Sequence, residues 1–322
     1  YICNNYRDTI STLHDNFPGS YKNKIKYKFK KQDMARVKNL DQITGTLKNL
    51  SFYTRKGSDA IFVRTKGGPS KEKIKRDPAF EGLRRHNREF GGCSAMSKQI
   101  RQAFSGLEHV ADYNLSAALS SLMNSIQKTD DAHEKGSRDI CLSHYRYTLA
   151  GFDFGRKRRF SSLLRVPLNY TIDREKQAAT VLIPSFACSF GLNLNADYMQ
   201  GAVNSGTFRF TAALGIVTDM QLNKSGTAYE PIHDKLGQGY QTRSTAWYST
   251  QGSVPGQELR LELLNEDLAT MSDPLTSPPF IPEFTDADSL VLTVIVEFGT
   301  PDAFGNIVPL RGVGGGMVLG VW

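Results

Sequence analysis

The feature that most constrains this chain is a change of rhythm near Gly151. Before it, apolar residues recur at helical spacing. Phe80, Leu83, Phe90, Met96, Ile100 and Phe104 form one stripe, and Val110, Leu115, Ala118, Leu119, Leu122 and Ile126 form a second over 107–127. After it come short apolar runs at 163–168, 180–186, 207–217, 258–264, 290–298, 307–310 and 317–322, separated by turn residues and by breaks such as Thr276-Ser277-Pro278-Pro279. Runs of strand length bounded by turns form antiparallel sheets rather than helices. The expected class is therefore α+β: an N-terminal β-hairpin plus helical module, followed by an antiparallel β-sandwich-like region.

The hairpin is expected over 45–66. Leu47, Leu50 and Phe52 form one run and Ile61, Phe62 and Val63 the other, with 55–59 as the turn and Gly67-Gly68-Pro69 as the stop. Asp77-Pro78 places an N-cap before a proline at the first helical position. Gly91-Gly92 is expected to kink or break the helix that follows. A polar loop is expected over 130–139, and a short helical piece over 140–149. Thr207-Phe208-Arg209-Phe210-Thr211 alternates as a strand with both phenylalanines on one face. The run 290–298 is the densest apolar stretch. It is interrupted by Thr293 and Glu297 and falls far short of the ~18 residues of a membrane span.

Charge divides the chain as sharply as rhythm does. Residues 1–165 carry 32 Lys and Arg against 16 Asp and Glu, whereas 166–322 carry 8 against 16, within a total of +8. A basic front suits a polyanion or an acidic protein surface. The plainer reading is that charge keeps each half solvated. Residues 1–33 are rich in Asn, Lys, Ile, Tyr and Phe, and Met34-Ala35-Arg36 reads as a start. They are taken as an upstream segment, non-native or disordered. The alternative is a basic arm in which Lys24, Lys26, Lys28 and Lys30 alternate with Ile25, Tyr27 and Phe29. Removing them leaves the asymmetry in place. Three regions are expected: 1–33, a basic hairpin-plus-helices module at 34–154, and an acidic β region at 155–322, as one large or two small sandwiches. Gly155 to Arg159 is read as a solvated joint.

Motifs of chemistry are few. Cys3, Cys93, Cys141 and Cys188 form no CxxC pair, which fits reduced thiols in a cytoplasm. His14, His86, His109, His133, His144 and His233 show no metal-ligand spacing to one another, and His233-Asp234 has no nucleophile to serve. Gly312-Val313-Gly314-Gly315-Gly316 fails as a phosphate loop, because no helix can follow it, and reads as a hairpin turn. No catalytic, metal or cofactor set emerges.

The densest constellation is a candidate polyanion-binding set: Lys71, Lys73, Lys75 and Arg76, then Arg84, Arg85, Asn87 and Arg88. Arg84 and Arg88 are helical neighbours that can grip one phosphate backbone. A solvated face of Arg–Glu pairs is the competing reading, and it is preferred because no named DNA-binding motif is met.

Several spaced features resemble a family of uncharacterised proteins common in Bacteroidetes genomes. They are Ile43-Thr44-Gly45-Thr46-Leu47, Leu50-Ser51-Phe52-Tyr53, Val63-Arg64-Thr65-Lys66-Gly67-Gly68, Asp77-Pro78-Ala79-Phe80, Leu83-Arg84, Asn87, Glu89-Phe90-Gly91, Arg101, Gly151-Phe152-Asp153-Phe154, Ile183-Pro184-Ser185-Phe186 and Thr207-Phe208-Arg209. The resemblance runs from about Met34 to Asp219. It implies a start near Met34 and supplies no activity. The expectation is a non-enzymatic structural or interaction protein that self-associates through its basic front and acidic back. Its partners are other subunits; nucleic acid is the alternative, with no membrane and no small-molecule substrate. An enzyme without a recognisable site is the remotest reading.

Overall fold

A computed structural model describes residues 36–39, 42–54, 60–65, 67–194, 206–233, 239–263 and 284–322. The chain is α+β and divides into two compact units, Tyr1–Ser70 and Lys71–Trp322. The first holds a four-stranded antiparallel meander of Arg36–Asn39, Gln42–Leu47, Leu50–Thr54 and Ile61–Thr65. Phe52 faces Val63 and Tyr53 faces Phe62 across its last two strands, which is the hairpin expected from the apolar runs. The Tyr53 and Phe62 rings stack with centroids 5.7 Å apart. The expected turn at 55–59, the basic arm at 24–30 and the proline break at 276–279 lie outside the described residues.

The second unit has three layers. Its middle is a sheet ordered Tyr240–Ser244, Thr207–Thr218, Asp288–Pro301, Ile307–Val321, all antiparallel, with Tyr248–Ser249 also pairing to the second of these. On one face lies a smaller sheet of Gln257–Glu262, Ala178–Ile183 and Asn169–Asp173. On the other lie the helices Glu81–Ala103 and Leu115–Gln127. This explains why 290–298 is so densely apolar. Leu290, Leu292, Val294, Val296 and Phe298 enter the sandwich core beside Phe208, Phe210, Val181 and Leu261. Val291 and Ile295 enter the helix-side core beside Met96, Ile100, Phe104 and Met123. A strand covered on both faces loses the alternation that a half-exposed strand keeps. Each such side chain contributes roughly 1.5–3 kcal/mol on burial.

Sequence and structure part at five places. The helical and β regions are not separated near residue 154, because the helices cover one face of the central sheet and share its core. The basic stretch 155–159 is a tied turn rather than a loose joint. Asp112 accepts the backbone N–H groups of Arg156, Lys157 and Arg158, and the Arg158 guanidinium reaches the carbonyl of Gly312 at 2.6 Å. The helix Glu81–Ala103 continues without a break through Gly91-Gly92. Gly92 is there for space, since a Cβ would meet the Tyr229 ring at 2.6 Å. Ile307–Val321 is one strand, and 312–316 is no hairpin turn. At Gly314, with φ 118°, a Cβ would collide with the carbonyl of Val296, and at Gly316 it would strike Ile295 and Phe154. Finally, 163–168 is not a strand: Leu163 closes the short helix Phe160–Leu163, and the strand starts at Asn169.

One end signal agrees with the sequence, and one cap was not foreseen in it. Asp77 accepts a bond from the Ala79 N–H at 2.9 Å and starts a 3₁₀ turn, Pro78–Phe80, that leads into the long helix. Asn114 caps Leu115–Gln127 through the Ala117 N–H. Val110 therefore belongs to a separate 3₁₀ turn, Leu107–Val110, ahead of that cap. The piece expected at 140–149 is two such turns, Leu142–His144 and Arg146–Thr148. Among the described residues no helix is long and apolar enough to cross a membrane.

Candidate functional site

The two polar residues that interrupt the apolar run both point to the helix side of the central sheet, and both are buried. Glu297 is the one that draws a constellation around it. One carboxylate oxygen accepts the Arg209 Nε–H at 2.7 Å and the Thr211 hydroxyl at 2.8 Å, both from the neighbouring strand. The other oxygen meets His109 Nε2 at 3.0 Å, from the 3₁₀ turn Leu107–Val110. The Arg209 guanidinium lies 4.5 Å from the centre of the Trp247 ring, and Thr211 also bonds Ser244 at 2.8 Å. Burial pushes the Glu297 carboxyl up, but the bonds from His109, Thr211 and Arg209 outweigh it and hold it below the ordinary carboxylate range.

The second ring nitrogen of His109, Nδ1, lies 3.1 Å from the Gly106 carbonyl. Both nitrogens thus face acceptors, an arrangement that only the doubly protonated imidazolium satisfies in full. Its pKa is raised, first by the bond to Glu297, against the opposing effect of burial, and further by the Gly106 carbonyl. A ring with both protons engaged cannot serve as a general base, and a carboxylate with three donors is not a free one. The arrangement is suited to holding two elements together.

The predicted basic set divides in two. Lys71, Lys73, Lys75 and Arg76 are exposed on the short helix Lys71–Arg76, which buries no residue, and Asn87 is exposed on the long helix. The arginines behind them are occupied internally. Arg84 donates to the carbonyls of Ile74 and Asp77, both at 2.8 Å, and to Glu81. Arg85 pairs with Glu81 and reaches Glu134 at 3.7 Å. Arg88 donates to the Gly226 carbonyl at 2.6 Å. A shared grip of Arg84 and Arg88 on one phosphate backbone would require breaking these bonds. The competing picture of Arg–Glu pairs describes Arg84 and Arg85.

Other polar groups of the unit are similarly engaged. Buried Glu89 holds Arg138 in a two-pronged pair, 2.8 Å on each prong, and accepts the Gly136 N–H at 2.7 Å. Asp219 accepts both the N–H and the hydroxyl of Ser143. Asp288 takes the hydroxyls of Thr218 and Thr285, while Arg146 and Arg174 donate to carbonyls around it. Burial pushes the Cys93 thiol up to about 11 and the Cys141 thiol up to about 12, so neither is a thiolate at neutral pH.

Among the described residues, one set has the geometry to hold a cation. One ligand atom each from Asp130, His133 and Asp139 lies within 4.8 Å of the others. Asp130 is, however, already committed to its own loop: it accepts the N–H groups of Ala132, His133 and Asp139, and the His133 ring at 2.8 Å. The sequence reading considered histidines against one another and so passed over a ligand set whose other members are aspartates. Glu297 was visible as a break in an apolar run. Its partner His109 lies 188 positions away, and no local pattern joins them.

No protein-family model, no curated protein and no solved structure matches the chain. Function therefore has to be argued from the groups above.

Proposed function

We propose that this chain is a non-enzymatic structural or interaction protein that self-associates, one copy presenting its basic turn to the acidic surface of another. The observation that carries the reading is the helix Lys71–Arg76, which puts four exposed cations in one place with no buried residue of its own. Exposed acids on the sandwich side, Glu175, Glu258 and Asp286, supply the opposite sign. Contacts between unlike patches of one chain are heterologous and build rings or filaments. Arg84, Arg85 and Arg88 are used internally, so the candidate set contributes its cations through this helix.

Light scattering tests the proposal. At about 50 mM salt the protein should form assemblies that shrink as salt rises toward 500 mM, because attraction between exposed charges is screened. Lys71→Glu combined with Lys75→Glu should reduce assembly at low salt without altering the circular dichroism spectrum. A strict monomer at low salt would overturn the proposal. Purified protein carrying nucleic acid, seen as a raised 260/280 nm absorbance ratio, would favour the polyanion reading instead.

A further inference from the structure

The end of the long helix turns sharply. Ser105 has φ 52° and Gly106 has φ 81°, two successive residues in the left-handed region. Glycine adopts that region freely, but serine is disfavoured there, so the surroundings must hold the turn in place. Leu107 and Val110 anchor it in the helix-side core. The polar restraint is His109, which bonds Gly106 inside the turn and Glu297 in the sheet.

We infer that His109 is a protonation-dependent latch, fastening the turn that ends the long helix to the central sheet only while its ring carries both protons. A neutral imidazole has one N–H. It can keep Glu297 or the Gly106 carbonyl but not both, and the bond it gives up becomes a contact between a lone pair and an acceptor about 3 Å away. Glu297 keeps Arg209 and Thr211 whichever bond is lost, so the sheet does not depend on the latch. Release is therefore local to 105–111.

The charged groups around the ring are few. Glu297 and Arg209 face it from two strands of the sheet, the first favouring the proton and the second opposing it. Glu108, next to it on the turn, is paired at 3.7 Å with Arg101 of the long helix. A histidine with a raised folded-state pKa stabilises fully below its ordinary value near 6.5, and the contribution is lost as pH rises through the folded value. The latch holds in mild acid and opens as pH rises through a value above the ordinary histidine range. A quarter of the His109 side chain meets solvent, so hydroxide and buffer base reach it directly.

Hydrogen exchange on the full chain, corrected for the intrinsic pH dependence of exchange, tests the inference. Protection of the Leu107 and Ala111 amides, which bond the carbonyls of Phe104 and Glu108, should fall about tenfold between pH 6 and pH 9. In His109→Gln, which can donate to Glu297 but cannot titrate, the dependence should vanish. In His133→Gln it should persist. Wild-type protection that is flat with pH, or a dependence retained in His109→Gln, would overturn the latch. Should His109→Gln not fold, the Cε1 proton of His109 in the wild-type chain decides by NMR: a midpoint above that of free histidine supports the latch, and one at or below it sinks it.

Discussion

The two faces of the central sheet are built from the same strands and could hardly differ more. Toward the smaller sheet, the Asp288–Pro301 strand sends Leu290, Leu292, Val294, Val296 and Phe298 into an apolar core. Toward the helices, the same strand sends Thr293 and Glu297 along with Val291 and Ile295, and the helices add Glu89, Gln99 and Gln127. One face is held by area removed from water, which is non-directional and tolerant of rearrangement. The other has an apolar core of its own and adds buried groups that need donors placed against acceptors, where one unmade bond costs more than a made bond gains. Both faces bury apolar cores, and the helix face also carries the titratable pair of His109 and Glu297.

The comparison can be broken most forcefully on the apolar side. Phe298→Ala, removing a fully buried ring, should cost about 3–5 kcal/mol in chemical denaturation. A loss below about 1 kcal/mol would mean that the sandwich core is not close-packed. On the helix side, Arg138→Ala leaves Glu89 buried without its partner and should cost about 2–3 kcal/mol. That figure is below the value for a sealed pair because 17% of the Arg138 side chain remains in contact with solvent. The Glu89 carboxyl is held below its ordinary range, first by the bond from Arg138 and against burial. Its contribution is present above the ordinary carboxylate pKa and is lost as pH falls through the depressed value. The Arg138→Ala penalty should therefore shrink in acid, and a penalty unchanged down to pH 2–3 would contradict the assignment.

The smallest effect sharpens the contrast by reversing its sign. The Thr293 hydroxyl is buried without a hydrogen-bond partner. Thr293→Val keeps the shape and removes the unsatisfied group, so it should raise stability by about 1 kcal/mol. A loss of that size would show that the hydroxyl is bonded after all and that the helix-side polar network is larger than it looks.

Legibility follows the range of the forces involved. Asp77-Pro78 announced a helix start correctly because a cap is settled within three residues. The runs at 207–217 and 290–298 announced strands because burial on both faces leaves a dense apolar stretch. Glycine misled twice, at Gly91-Gly92 and at 312–316. Its two uses, turning and making room, look alike in one dimension. Only the Tyr229 ring and the Val296 carbonyl show that here it makes room at Gly92 and Gly314. The chemistry of a guanidinium is likewise visible in sequence, but not whether a carbonyl already occupies it: Arg84 and Arg88 donate to backbone carbonyls, and the preferred picture of Arg–Glu pairs describes Arg84 and Arg85.

By itself the sequence determined the α+β class, the N-terminal hairpin, the main strands and the helix start at Asp77-Pro78, because periodicity and capping act over a few neighbours. Only the tertiary structure decided that helices and sheets share one unit, that Arg84 and Arg88 donate to backbone carbonyls, and that His109 meets Glu297. Those outcomes depend on which distant surfaces exclude water from each other. Buried charges must then find partners wherever the packing brings them, however far apart along the chain.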